Sequence, residues 1–323
     1  MIKSQNVAVP LMTWALIAAP VGPALAQPAY PSKPITYIVA AGPGVGNDVI
    51  ARIVAQKLGE IWNPVVVTNV PGASGAIGLE RAAKAAPDGH TIVIASTSYI
   101  LNQYVSQVHY DLVKDFAPVS LSGSLPYVLA VHSSLPVKSV NELVAFAKSR
   151  PGKLNYAAAI GQVAHFMGEM LKSATGIDIA LISYPSSNYA DADVIAGRVE
   201  IWFTTMATAL PQMKAGTVRV LGFSGDRRSP LMPNVPTMAE AGIPMLNVSA
   251  SFFVLAPAAT PKPVVAALNN QFVKAISTED VRNRLAAAGV EPTSSTVEGL
   301  DALLKSEVAR WSKIIKDSGI RVQ

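Results

Sequence analysis

Short apolar runs alternate with amphipathic stretches along most of the chain, the pattern of an α/β protein. Residues 35–40 are rich in β-branched side chains and predict a strand. They feed a glycine-rich turn at residues 42–46. Beyond it Val49, Ile50, Ile53, Val54 and Leu58 share one face of a helix that Asn47 is placed to cap. The strand signal recurs at residues 65–68, 91–95, 127–131, 179–183, 199–203, 219–223 and 251–255, with a small-residue helix at 76–86. Val163, Phe166, Met167, Met170 and Leu171 line one side of a helix that opens near Gly161. Near the C-terminus Leu300, Leu303, Leu304, Val308, Trp311, Ile314 and Ile315 form a longer stripe. Stripes of this kind belong to the core.

The first residues break this pattern and predict the compartment. Lys3 precedes an uncharged apolar stretch at residues 7–19, and Pro20, Gly22 and Pro23 follow before Ala24-Leu-Ala26. That order predicts a signal peptide over residues 1–26, cleaved before Gln27, and a periplasmic mature protein. The apolar run is too short for a membrane span, which needs about 20 residues. The chain has no cysteine, so disulfides, thiolate catalysis and cysteine zinc sites are excluded. After cleavage 297 of the 323 residues remain, enough for two domains. The net charge of +5 is spread thinly: the longest basic run is Arg227-Arg228, so nucleic acid has no patch to bind. A mild positive field suits anionic ligands.

Open α/β sheets bind ligands at the carboxyl ends of their strands. Three turns of suitable composition stand there, at residues 42–48, 96–98 and 158–161. Glycine-rich turns that enter helices offer main-chain N–H groups to anions without a cationic side chain. The run Gly42-Pro-Gly-Val-Gly-Asn-Asp48 is neither a phosphate loop nor a dinucleotide fingerprint, because no Gly-Lys-Ser/Thr follows and Asn47 takes the place of the third glycine. In the loop at residues 69–78, Gly75 and Gly78 predict close packing ahead of ligand contact. Of the four histidines only His165 has a carboxylate at helical spacing, Glu169, and the pair reads first as a solvated helix face and second as a ligand contact. No nucleophile elbow, metal spacing or base–nucleophile pair is visible, so no enzyme activity, metal or cofactor is expected.

These residues lead to a resemblance. Tyr30-Pro-Ser-Lys-Pro-Ile, Asp48-Val-Ile-Ala-Arg52, Asn69-x-Pro-Gly-Ala-x-Gly75, Ala85-Ala-Pro-Asp-Gly89, Lys114-Asp-Phe-Ala-Pro118, Pro151-Gly-Lys-Leu-Asn-Tyr156, Pro233-x-Val-Pro-Thr237 and Leu255-Ala-Pro-x-x-Thr-Pro261 stand in the order found in the substrate-binding proteins of tripartite tricarboxylate transporters, the Bug-type receptors. The chain resembles them from about Tyr30 onward. The resemblance implies a two-lobed fold like that of type II periplasmic binding proteins, each lobe a sheet flanked by helices. Lobe one would comprise residues 27–124 and 252–323, and lobe two residues 125–251. It also implies a monomer that takes a small carboxylate in the interlobe cleft and passes it to the transporter's membrane subunits. The ligand would meet Pro43, Gly44, Val45, Gly46, Asn47 and Asp48 after the first strand, Ser96 and Thr97, and Ala159, Gly161, Gln162 and His165 in the other lobe, with Tyr184, Ser186, Thr204 and Thr205. The chain departs from the family pattern: Val45 stands for a glycine, Asn47 for a threonine, and Phe203-Thr-Thr for Phe-Asp-Asn. Thr204 carries no charge for a ligand ammonium, so a dicarboxylate or aromatic carboxylate without an amine is expected. Two other readings share these features: a receptor that docks on a membrane sensor kinase, and an exported α/β enzyme.

Overall fold

The computed structural model describes residues 30–318; the expected signal peptide and its cleavage site lie outside the described residues. The first lobe opens with β1 (Ile35–Val39), α1 (Gly46–Ile61), β2 (Val65–Asn69), α2 (Ala76–Ala83), β3 (Thr91–Ser96) and α3 (Thr97–Val105). β1 lies parallel between β2 and β3, as right-handed strand–helix–strand units require. Next comes β4 (Phe116–His132), a 17-residue strand. The second lobe holds α4 (Val140–Lys148), β5 (Leu154–Ala159), α5 (Val163–Thr175), β6 (Ile179–Tyr184), α6 (Ser187–Ile195), β7 (Ile201–Thr205), α7 (Met206–Lys214) and β8 (Val218–Phe223). β9 (Ser249–Pro257) returns to the first lobe, followed by α8 (Lys262–Ser277), α9 (Glu279–Ala287) and α10 (Val297–Ser318).

One strand ties the lobes together. The first part of β4 pairs antiparallel with β9, from Phe116 opposite Pro257 to Pro126 opposite Ser249. From Tyr127 onward it pairs with β7 and from Val128 with β8. The strand order is therefore β2-β1-β3-β9-β4-β7-β5-β6, with β8 beside β4. The sequence predicts only residues 127–131 of this strand. Its earlier half hides behind Pro118, Gly123 and Pro126; the first two sit where the ladder shifts register, at Pro118/Ser120 and Leu121/Gly123, and Pro126 is the last residue paired with β9.

The predicted helical stripes are core. Ile50, Ile53, Val54 and Leu58 of α1 pack with α8 and α9 on one face of the first sheet. Phe166, Met167, Met170 and Leu171 of α5 share a cluster with Leu300, Leu304, Trp311 and Ile315 of α10. That cluster crosses from one lobe to the other, and the Phe166 and Trp311 rings meet edge to face at 5.7 Å. No described helix is long and apolar enough to cross a membrane.

Gly168 shows how closely α5 sits on β5. A Cβ there would fall 2.2 Å from the Tyr156 ring, which is itself buried, edge-on to Phe203 and bonded to Glu169. Neither side can yield cheaply, so Gly168→Ala should destabilise by about 1–3 kcal/mol. A thermal melt checks this; an unchanged midpoint would contradict the packing described.

Candidate functional site

The carboxyl ends of β1, β3, β5, β6 and β7 all lead into helices, and the predicted residues stand at these junctions. After β1, Gly44 has φ +84°, a conformation that only glycine adopts without strain, and it aims its N–H at the Asp48 carboxylate, 2.9 Å away. Asp48 is almost fully buried and also accepts bonds from Arg52 Nε (3.0 Å) and Asn69 Nδ2 (2.9 Å). Burial opposes ionisation of this carboxyl, but the Arg52 guanidinium, the Gly44 amide and the Asn69 amide outweigh it and hold the pKa below the usual carboxylate range. Its charge is thus spent inside the turn. Asp48 shapes the loop, and Asn69 secures the frame by donating to the Ala41 carbonyl (3.1 Å).

The helix cap differs from expectation. Val45, not Asn47, is the N-cap of α1, and it offers no side-chain cap. Asn47 lies inside the helix, buried, with its amide donating to the Tyr99 hydroxyl at 3.2 Å; Tyr99 in turn donates to the Ala40 carbonyl at 3.0 Å. The amides of Val45, Gly46 and Asn47 have no acceptor among the described residues. They open beside the crossover: a Cβ on Gly46 would be 3.4 Å from Phe252 and 3.9 Å from Leu125. Pro43 and Gly44 are exposed on the same turn.

At the second junction Ser96 is the N-cap of α3, so residues 96–98 are a helix start and not a free turn. Thr97 is buried and accepts the Ser251 amide at 3.0 Å, stitching α3 to β9. Ser96 is 5% exposed and Thr204 6% exposed, and neither hydroxyl takes a hydrogen-bond partner among the described residues. Gly75 and Gly78 behave as packing residues: an added Cβ would lie 2.2 Å from the Tyr99 ring and 2.7 Å from Ala40.

In the second lobe Ala159 ends β5, and Gly161 (φ +78°) turns the chain so that Gln162 takes the N-cap position of α5 without a side-chain bond to the helix. The amides of Val163 and Ala164 have no acceptor among the described residues. His165 corrects the solvated-face reading, for it is only 6% exposed, and Glu169 bonds instead to the Tyr156 hydroxyl (2.7 Å) and Lys172 (3.0 Å). The imidazole Nδ1 accepts the Gly161 amide at 3.2 Å, which places the ring proton on Nε2. Burial is the main cause that lowers the His165 pKa; Glu169 raises it and Lys172 lowers it further. A folded pKa below the unfolded value means that this contribution to stability is complete above about pH 6.5 and is lost as pH falls through the folded pKa. On acidification from pH 7 the wild-type melting temperature should therefore fall more than that of His165→Asn, whose amide oxygen accepts without titrating. Parallel curves would contradict the assigned bond.

Tyr184 donates to Asp193 at 2.7 Å, Ser186 is the exposed N-cap of α6, and Thr205 caps α7 through the Thr208 amide. Sequence reasoning missed Tyr99, which holds Asn47, and Asp191, whose carboxylate accepts the Trp202 indole N–H at 2.8 Å. Burial raises the Asp191 pKa. Only the contacts made across the fold mark either residue. A cavity of about 860 Å³ opens beside the crossover, lined by Ser124, Pro126, Ser249 and Ser251, the loop at 223–231 and the loop at 286–293. None of the sixteen predicted residues lines it.

A family model described as the tripartite tricarboxylate transporter family receptor matches residues 49–320. The chain is similar to the protein BugT of Bordetella pertussis, with 34% identity over 312 residues that cover 95% of this chain and 94% of BugT. It is also similar to two solved structures. One is an R. palustris protein with adipate, at a TM-score of 0.77 and 32% identity over 91% of this chain and 100% of that one. The other is MatC from Rhodopseudomonas palustris with bound malate, at a TM-score of 0.72 and 28% identity over 88% and 100%. The two-lobed α/β fold, the matched receptor model and these relatives together make one assignment: the chain belongs to the tripartite tricarboxylate transporter receptor family, whose members are solute receptors and not enzymes.

Proposed function

We propose that this chain is an exported receptor that captures a small carboxylate between its lobes and delivers it to the membrane subunits of a tripartite tricarboxylate transporter. The observation that carries the reading is the set of unengaged main-chain amides at two junctions, Val45, Gly46 and Asn47 in one lobe and Val163 and Ala164 in the other. Each set opens a helix, where the aligned peptide dipoles favour negative charge. Hydrogen bonds to a charged acceptor are worth about 1.5–3 kcal/mol each. Three or four of them, with burial of the ligand body, reach the roughly −8 kcal/mol of micromolar binding.

The hydroxyls of Ser96 and Thr204 supply further donors. The cavity beside the crossover is the poorer anion site, because two of its three arginines are committed: Arg228 to Glu240, and Arg310 to the main-chain oxygens of Met245 and Asn247. The lobes proposed are residues 27–124 with 252–323, and residues 125–251. The exchange of β4 partners between Pro126 and Tyr127 supports the first boundary.

The adipate and malate of the two R. palustris structures are carboxylates without an amine. Thr204 offers a hydroxyl and no charge, which supports the same class here. Calorimetry on the mature protein with adipate and 2-aminoadipate tests the ligand class. A preference for the deaminated acid is expected; tighter binding of the amino acid would overturn it.

A further inference from the structure

The same junctions carry exposed hydrocarbon. Eight large apolar side chains are exposed among the described residues, and four of them stand where a parallel strand enters a helix. Val45 (46% exposed) follows β1, Ile77 (52%) follows β2, Ile160 (61%) follows β5 and Tyr189 (63%) follows β6. Apolar side chains scattered singly over a surface need no explanation, but a concentration at one end of two sheets does. Val45 and Ile160 are the informative pair. Val45 is the N-cap of α1, a position that favours Ser, Thr, Asp or Asn, and a valine there forgoes about 1 kcal/mol of capping. Ile160 sits between Ala159 and Gly161, within three or four residues of the free amides of α5. In both lobes a bare methyl-bearing side chain therefore stands directly beside unengaged N–H donors.

We infer that Val45 and Ile160 are specificity-determining residues that grip the hydrocarbon body of the ligand from opposite lobes, so that the receptor selects unsubstituted dicarboxylates over hydroxylated ones. This rests on the proposed carboxylate site and adds the class of body that the site accepts. The amides take the charged end, which every small carboxylate shares. Discrimination must then come from what lies against the rest of the molecule. A methylene against Val45 or Ile160 leaves water and gains about fourfold in affinity. A hydroxyl in the same place loses its water and finds no partner on either side chain, a loss of about tenfold or more.

The test is calorimetry of the mature protein with succinate, malate and adipate. Wild type is expected to bind succinate at least about tenfold more tightly than malate, which differs from it by one hydroxyl, and to bind adipate more tightly than succinate. Val45→Thr replaces one methyl by hydroxyl and Ile160→Thr replaces the ethyl by hydroxyl, and both keep a β-branched shape. The double variant should lose about tenfold or more for adipate and less than twofold for malate, with a melting temperature no lower than that of wild type, since threonine at position 45 can cap α1. Wild-type preference for malate over succinate would overturn the inference. So would equal losses for all three ligands in the double variant, or no loss for any. If wild type bound none of the three, the carboxylate reading itself would fail and this inference with it, an outcome distinct from binding without discrimination.

Discussion

Val45→Asp is expected to weaken carboxylate binding by at least about a hundredfold while leaving the protein as stable as wild type or slightly more so. The two halves of this expectation have separate causes. Aspartate is among the best N-cap residues, so its carboxylate should accept the free Asn47 amide at the start of α1, where Val45 provides no side-chain cap. That bond stabilises the helix and occupies a donor assigned to the ligand. The new charge also faces an anion at close range, where two unit charges 4 Å apart interact by about 4 kcal/mol at an effective dielectric of 20. Arg52 cannot offset this, since its charge is already paired with Asp48. Val45→Asn is the control: it caps in the same way without charge, and should weaken binding much less. Thermal melts and calorimetry on both variants check the result. Equal affinities for the two would remove electrostatics at this turn from the account.

Trp311→Ala is expected to have the largest effect on stability, a loss of about 3–5 kcal/mol. The ring is fully buried on α10, edge-on to Phe166 of α5, and its indole N–H donates to Glu307 at 3.0 Å. Because α10 follows the return to the first lobe and α5 belongs to the second, the void would open at the packing that joins them. At about 2–4 °C per kcal/mol for a chain of this size, the midpoint should drop by about 10 °C. Trp311→Phe, which keeps an aromatic edge contact, should recover part of it. A drop of less than 2 °C for the alanine variant would show that the seam does not bear on folding.

How much of this was legible in the sequence depends on where the determining contact lies. The strand at residues 35–40, the glycine turn and the α1, α5 and α10 stripes were readable because their signals are local and periodic. The first half of β4 was not, since two prolines and a glycine erase the alternation and only pairing with β9, more than 120 residues away, restores a strand. The site was legible as a set of turns and not as a set of roles. Asn47 looks like a cap until Tyr99, 52 residues on, claims its amide. His165 and Glu169 look like a solvated pair until Tyr156 takes the carboxylate and the turn at Gly161 takes the imidazole. Spacing along a helix identifies which side chains share a face, but what covers that face is decided by strands elsewhere in the chain.

The most direct measurement is a structure of the mature protein with a bound dicarboxylate such as adipate. One ligand carboxylate should lie within hydrogen-bonding distance of the amides of Val45, Gly46 or Asn47, with the amides of Val163 or Ala164 closing on the ligand from the other lobe. A ligand seated instead in the cavity between Ser124, Ser251 and the 223–231 loop, away from both junctions, would contradict the account.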